Sequence, residues 1–245
     1  MSNFLHTSDT IPEGFGWTQF CPMHLAWIIG AAAFALVVSL LYRRSGEKHR
    51  DRIRKILAVA LLADELYKMV CLFIGGNYTP SYLPLHLCSI NIIFIAIHAW
   101  KPSKLLDNFL YGICIPGALA ALLFPTWVKL PPTSFMYWHS FTVHVLLLAY
   151  PIVLTAGGDI RPNARELPKC LLFLLALAVP IYGVNLLFDT NFMFLMRAGD
   201  GNPLQIFETL LGSHLWGFPI IGAAVLSAMY VPVHLWRRRN NKVMA

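Results

Sequence analysis

The chain has 245 residues, of which 57% are hydrophobic and 13% are charged, and its formal net charge is +7. A soluble domain carries about 25% charged residues, and here the apolar residues form long runs. This composition excludes an ordinary soluble domain. It predicts an integral membrane protein, because a run of about 18 or more apolar residues can cross a bilayer as a helix.

Seven apolar segments follow one another along the chain as candidate membrane helices. They run near 22–42, 56–75, 84–100, 105–124, 135–155, 168–188 and 213–236. The predicted fold class is therefore an all-α integral membrane protein, a bundle of seven transmembrane helices. No internal repeat, low-complexity tract or long linker divides the chain. Residues 1–245 are accordingly predicted to form a single seven-helix transmembrane domain.

Basic residues are concentrated on one side of the predicted bundle. The loops after spans 1, 3 and 5 and the C-terminal tail hold seven, two, three and four Lys or Arg residues. Lys129 and Arg197 are the basic residues predicted on the other side. By the positive-inside rule, the N-terminus is predicted outside and the C-terminus inside a cell membrane. The positive charge is thus interpreted as an orientation and anionic-lipid signal, and not as a nucleic-acid-binding surface.

The second predicted span contains three ionisable residues, Asp64, Glu65 and Lys68. An ionisable side chain at membrane depth is costly and marks a functional candidate. Lys68 follows Asp64 by four residues and Glu65 by three, so either carboxylate can pair with it on a helix surface. Two interpretations stay open: an ion pair that clamps the helix packing, or a group that contacts the substrate directly.

The third predicted span begins with a cysteine among polar residues. In a regular helix from residue 84, Cys88, Asn91 and His98 share one face. Cys88 then lies about four residues, or roughly 6 Å, into the bilayer. His86 points away from that face, unless Pro84 marks an irregular start of the helix.

The fifth and sixth predicted spans bring further polar groups to the same side of the membrane. Ser140 and His144 share a face of the fifth span, whereas His139 points away from His144. Asn185 lies at the end of the sixth span. The connection over 189–212 is long enough for a lid or binding loop, and an ordinary interfacial connector is an equal alternative.

Cys88 is the candidate nucleophile because of its depth and its neighbours. A cysteine attacks as its thiolate, so a thiol among apolar residues needs a base. A histidine can take the proton, after which the sulfur can form an acyl thioester. An asparagine or a helix amide can stabilise the oxyanion that develops. The predicted depth of Cys88 is close to the ester linkages of outer-leaflet phospholipids.

Two sequence runs carry a family resemblance. Leu83-Pro84-Leu85-His86-Leu87-Cys88, followed by His144 and then by Asn191-Phe192-Met193-Phe194-Leu195, resembles the bacterial YwaF-like integral membrane proteins. These are related to the vertebrate transmembrane protein 164 acyltransferase family. The resemblance implies a phospholipid acyltransferase or transacylase that acts through an acyl-cysteine. It implies Cys88 as the nucleophile and His144 or His86 as the base, and His144 is preferred because His86 lies off the Cys88 face of a regular helix.

Further site residues, partners and cofactors complete this prediction. The residues predicted to contact the substrate are Asn91, His139, Asn185, Asn191, Glu65 and Lys68. The predicted partners are membrane phospholipids, and no cofactor or metal ion is expected. The oligomeric state and a disulfide between Cys21 and Cys71 stay open, because sequence alone does not decide either one.

Two other functions use the same residues. A small-solute transporter or receptor would use the intramembrane polar groups as a ligand or ion site, although the inverted repeat common in transporters is not visible. A zinc site built from His86, His139, His144 and Cys88 would have suitable ligand types. The spacing of those four residues matches no compact zinc-binding motif.

Overall fold

The computed structural model describes residues 3–199 and 202–243, with side chains described as far as His234. These residues form helices and turns and contain no strand. The α-helices in the described ranges are α1 (Pro22–Arg44), α2 (Glu47–Ile74), α3 (Leu87–Trp100), α4 (Lys104–Phe109), α5 (Ile115–Leu123), α6 (Phe135–Gly157), α7 (Leu167–Phe188), α8 (Leu204–Leu211) and α9 (Gly217–Val243). A π-helical turn over Leu110–Cys114 joins α4 to α5.

The chain is an all-helical, multi-pass membrane protein. The segments of the described residues that are long and apolar enough to cross a membrane number six: Pro22–Arg44, Pro80–Trp100, Lys104–Leu123, Phe135–Gly157, Ala164–Phe188 and His214–His234. The remaining predicted span, 56–75, lies within α2, whose ionisable residues lower its apolar character. The count of seven spans and the orientation of the termini stay predictions.

α6 lies at the centre of the bundle. It packs against α1, α2, α3 and α5. The buried share of its membrane segment is 56%, whereas the buried share is 11% for the segments that contain α7 and α9. α1 and α6 approach closely at Gly157, where an added Cβ would come within 2.5 Å of the Tyr42 ring. The site described below is therefore built on the most tightly held helix.

Proline explains two local departures from regular helices. Pro116 lacks an N–H, and in a regular helix its ring would clash with the carbonyl of Gly112. The wider π turn before it relieves that clash. Pro84 disfavours helical backbone at Leu83, which is extended, with φ −55° and ψ 142°. As a result α3 begins at Leu87 and not near residue 84 as predicted.

The connection predicted over 189–212 is also more structured than a loop. It contains a 3-10 turn at Phe192–Phe194 and the short helix α8. α8 packs against the start of α9, where a Cβ on Gly217 would meet Leu204 at 2.5 Å. Since apolar side chains of α8 supply this contact, the connection folds back onto the bundle.

Candidate functional site

A cavity of about 240 Å³ lies where α2 meets the first turns of α3 and α6. Its polar lining consists of Ser8, Glu65, Lys68, Ser81, Tyr82, His86, Cys88, Ser89, Thr126, Trp127, His139, Ser140 and His144. The N-terminal segment supplies Ser8, and the segment between α5 and α6 supplies Trp127. Six of the predicted site residues thus share one cavity: Cys88, His144, His86, His139, Glu65 and Lys68.

Cys88 lies in the first turn of α3. This position corrects the expectation that it lies one turn inside the helix, because the helix begins at Leu87. First-turn N–H groups have no partner within their helix and carry the positive end of its dipole. The Cys88 thiol lies near the backbone N–H and hydroxyl of Ser89, the positive charge of Lys68 and the negative charge of Glu65. The Ser89 groups, the helix dipole and Lys68 can stabilise a negative sulfur, and the Glu65 carboxylate opposes them.

His86 immediately precedes α3 in an extended conformation, with φ −66° and ψ 148°. The irregular start after Pro84, which the sequence left open, is the arrangement found. Because His86 precedes the helix, regular helical spacing does not apply to it, and the side chains of His86 and Cys88 both line the cavity. The His86 ring contacts Phe192 edge-on, with centroids 5.1 Å apart, and lies 6.1 Å from Phe194.

His144 is buried and held in one orientation. Its Nδ1 lies 2.6 Å from the carbonyl oxygen of Ser140, and its ring stacks on Trp127 at 5.1 Å with an interplanar angle of 11°. A carbonyl oxygen only accepts hydrogen bonds, so Nδ1 donates and carries the proton. In the neutral ring, Nε2 then keeps its lone pair. This geometry suits His144 to the role of a base.

A chain of ionisable groups joins α2 to α6. Lys68 Nζ lies 2.5 Å from Glu65 Oε1, so Lys68 pairs with Glu65 and not with Asp64. Asp64 Oδ2 lies 3.1 Å from His139 Nδ1, and Asp64 Oδ1 accepts a hydrogen bond from Thr142 Oγ1 at 3.0 Å. His139 Nε2 lies 3.9 Å from Glu65 Oε2. Although helical spacing separates His139 from His144, His139 lies beside the Asp64 and Glu65 carboxylates and lines the same cavity.

Asn185 and Asn191 lie outside the cavity lining among the described residues, and both order the segment after α7. Asn185 Oδ1 accepts hydrogen bonds from Thr190 Oγ1 and from the Phe192 N–H, at 2.9 and 2.8 Å. Its Nδ2 donates to the Phe192 carbonyl at 3.1 Å. Asn191 Oδ1 accepts from the Met196 N–H at 3.0 Å. The side-chain amides of Asn185 and Asn191 are thus hydrogen-bonded within the protein. Their contact with a substrate stays a prediction.

The segment that these asparagines hold is conformationally strained. Met193 and Phe194 both have left-handed backbone, with φ of 57° and 56°, which costs about 1 kcal/mol or more per non-glycine residue. His214 Nε2 bonds the Phe194 carbonyl at 3.0 Å. Through the ring contacts of Phe192 and Phe194, this segment packs against His86, which lines the cavity.

Replacing Asn185 by leucine is expected to lower the free energy of unfolding by about 2–4 kcal/mol, because the buried polar groups of Phe192 and Thr190 lose their partners. Chemical denaturation in detergent measures this change. Asn163 is the control, because its side chain caps a turn through a hydrogen bond that is exposed to solvent, and Asn163→Leu is expected to cost about 1 kcal/mol. Equal losses in the two variants would contradict the role assigned to Asn185.

The remaining predicted residues lie deeper in α3 or elsewhere. Asn91 is 3% exposed and lies outside the cavity lining among the described residues. His98 Nδ1 lies 2.9 Å from Tyr150 Oη and its Nε2 lies 2.8 Å from Asp107 Oδ1, so it links three helices. All five cysteines are free thiols, including Cys21 and Cys71. The described residues contain no group of three His, Cys, Asp or Glu side chains arranged to hold a metal ion.

Trp127 is a site residue that sequence reasoning missed. It is 7% exposed, lines the cavity and stacks on His144. A tryptophan between two predicted spans is typical of an interfacial anchor. Nothing in its sequence position indicates that its ring turns inward onto a histidine of α6.

Comparison with known proteins identifies the family. A family model described as the TMEM164 family matches residues 17–231. No curated protein and no solved structure matches the chain. The matched range contains every polar residue of the cavity lining except Ser8. Because the match covers most of the chain, the protein belongs to the TMEM164 family.

Proposed function

We propose that the chain is a membrane-embedded phospholipid acyltransferase that transfers a fatty acyl group through a thioester on Cys88. One observation carries this proposal. The Cys88 thiol shares a cavity with His144, whose Nε2 lone pair is left free by the hydrogen bond from Nδ1 to the Ser140 carbonyl. A nucleophile and a positioned base in one site are the groups that acyl transfer through a covalent intermediate requires.

The first half-reaction forms the thioester. His144 Nε2 takes the thiol proton, and the sulfur of Cys88 bonds to the ester carbonyl carbon of a phospholipid. The tetrahedral intermediate then collapses and its C–O bond breaks. The leaving alkoxide takes the proton back from His144 and departs as a lysophospholipid.

The second half-reaction transfers the acyl group. The hydroxyl of an acceptor lysophospholipid gives its proton to His144 and attacks the thioester carbonyl. The C–S bond breaks and the thiolate of Cys88 regains the proton from His144, so the site returns to its starting state. Lys68 and the first-turn amides of α3 support the negative charge that appears on sulfur and oxygen in both steps.

The size and place of the cavity suit a lipid substrate that stays in the membrane. A volume of about 240 Å³ is much smaller than a phospholipid, so only the ester and its neighbouring atoms enter. The cavity lies at the end of the bundle where α3 and α6 begin, which is close to the boundary between hydrocarbon and headgroups where the ester groups of lipids lie. The acyl chains then stay against the apolar outer surfaces of the helices.

Intact-protein mass spectrometry tests the proposed intermediate. The protein is incubated in vesicles whose phospholipids carry deuterated acyl chains, and an adduct of one acyl group that hydroxylamine removes is expected. Cys88→Ala is expected to lose this adduct. Cys21→Ala is the control and is expected to keep it, because Cys21 is similarly half-buried but lies outside the cavity lining. An adduct that persists in Cys88→Ala, or is absent from the native protein, would contradict the proposal.

A small-solute transporter is the second candidate, and the buried ionisable chain from Asp64 to Lys68 favours it. Transport and acyl transfer differ in what they need from Cys88. Uptake of labelled amines or carboxylates into vesicles is expected to persist in Cys88→Ala if the protein is a transporter. The same uptake is expected to fail when Glu65 and Lys68 are both made uncharged.

A further inference from the structure

Trp127 is held against the proposed base by aromatic packing. Its ring stacks on His144 and meets Phe141 edge-on, with centroids 5.3 Å apart and an interplanar angle of 86°. The backbone carbonyl of Trp127 accepts a hydrogen bond from the Leu130 N–H at 3.0 Å, which closes the turn that carries it. The indole is therefore fixed beside His144 before any substrate enters.

The indole N–H of Trp127 has no acceptor among the described residues, although it is buried. The other indoles with a described hydrogen bond are satisfied: Trp17 donates to the Leu130 carbonyl, Trp27 to the Tyr137 hydroxyl and Trp138 to the Pro132 carbonyl. Leaving a buried donor unpaired costs about 1–3 kcal/mol. Because Trp127 lines the cavity, this unpaired donor is a candidate for contact with a ligand, and an indole N–H can only donate.

Acyl transfer creates the acceptor that this donor lacks. When sulfur or an alcohol adds to the acyl carbonyl, the carbonyl oxygen becomes an oxyanion that needs hydrogen-bond donors. We propose that the Trp127 indole N–H donates a hydrogen bond to this oxygen, together with a first-turn amide of α3. The inference rests on the proposed acyl transfer and adds a catalytic residue to it. The proton stays on the indole nitrogen throughout, so the balance of the two half-reactions is unchanged.

The Trp127→Phe variant removes the N–H and keeps an aromatic ring against His144. Acylation of Cys88 from vesicles of zwitterionic and anionic phospholipids with deuterated acyl chains is expected to slow by a factor of roughly 10², as for loss of one oxyanion donor. Mass spectrometry of the adduct against time gives this rate. Alkylation of Cys88 by iodoacetamide forms no oxyanion and is expected to keep its native rate.

Trp27→Phe is the matched control, because Trp27 also packs on Phe141 but gives its N–H to Tyr137. This variant is expected to acylate Cys88 at close to the native rate. Native acylation in Trp127→Phe, or an equal loss of acylation and alkylation, overturns the role of Trp127 while the acyl-cysteine stands. If the native protein forms no acyl-Cys88, the proposed function fails and the role of Trp127 fails with it.

Discussion

Replacing His144 by phenylalanine is expected to slow the acylation of Cys88 by a factor of roughly 10² to 10⁴, the usual contribution of a general base. Phenylalanine keeps a flat ring against Trp127 but has no nitrogen to take the thiol proton. The rate of adduct formation, followed by mass spectrometry, measures the loss. The deficit is expected to narrow as the pH rises, because hydroxide can then remove the proton that His144 removes in the native protein.

The alternative base, His86, is tested in the same way. His86 lines the cavity, but its ring contacts are to Phe192 and Phe194 and not to a carbonyl that sets its tautomer. We therefore expect His86→Phe to reduce the rate less than His144→Phe does. A larger loss in His86→Phe would reverse the assignment and make His86 the base. Circular dichroism and elution of the two variants as native-like species exclude misfolding as the cause.

Replacing Lys68 by methionine is expected to lower the free energy of unfolding by about 3–5 kcal/mol, because it leaves the Glu65 carboxylate buried without its partner. The side chains of the pair are only 8% and 17% exposed, and their charged atoms lie 2.5 Å apart. Denaturant unfolding in detergent measures the change. The double variant Glu65→Gln with Lys68→Met is expected to recover most of the lost stability, because it removes both charges together.

Lys169 offers a matched control on α7. It pairs with Glu166 at 2.9 Å with the same spacing and order along the chain, and Glu166 is 18% exposed, but the Lys169 side chain is 70% exposed. Because water reaches this ion pair through Lys169, Lys169→Met is expected to change stability by no more than about 1 kcal/mol. If Lys68→Met and the double variant lose equal stability, the cost does not come from an unpaired carboxylate. The pair would then have a role in packing alone.

The stability of this pair also bears on the reaction. Lys68 is held by Glu65 and at the same time acts electrostatically on Cys88. Lys68 is thus part of a clamp, and its direct contact with a substrate stays a prediction. Measuring acylation in the double variant tests the electrostatic effect of the pair on Cys88, because that variant is expected to fold while lacking both charges.

The apolar runs determined where the membrane helices lie. Six of the seven predicted segments coincide with helices that can cross a membrane, within a few residues at each end. The physical reason is local: a segment in hydrocarbon has to satisfy its own backbone hydrogen bonds and present apolar side chains. The second segment is a helix as well, but Asp64, Glu65 and Lys68 make its apolar pattern weaker.

Residue types and spacing also predicted most of the residues that line the cavity, but not how their side chains are arranged. Cys88 and His144 are candidates because a thiol and an imidazole at membrane depth are unusual, and the family resemblance implies their roles as nucleophile and base. For His86 the sequence left two arrangements open, and the irregular start after Pro84 is the one found, because α3 begins only at Leu87. A rule for regular helices does not apply at a residue that precedes one.

Only the tertiary structure decided which groups meet. Lys68 pairs with Glu65, whereas Asp64 accepts a hydrogen bond from Thr142 of α6 and lies 3.1 Å from His139 of the same helix. Asn185 accepts a hydrogen bond from the Phe192 N–H after the end of its helix. Trp127, which precedes α6, stacks on His144 within that helix. Neither contact follows from the local sequence. Residue types and spacing thus determined the membrane helices and the candidate nucleophile. The orientation of the base and the unpaired indole N–H required the packing of α6 against its neighbours.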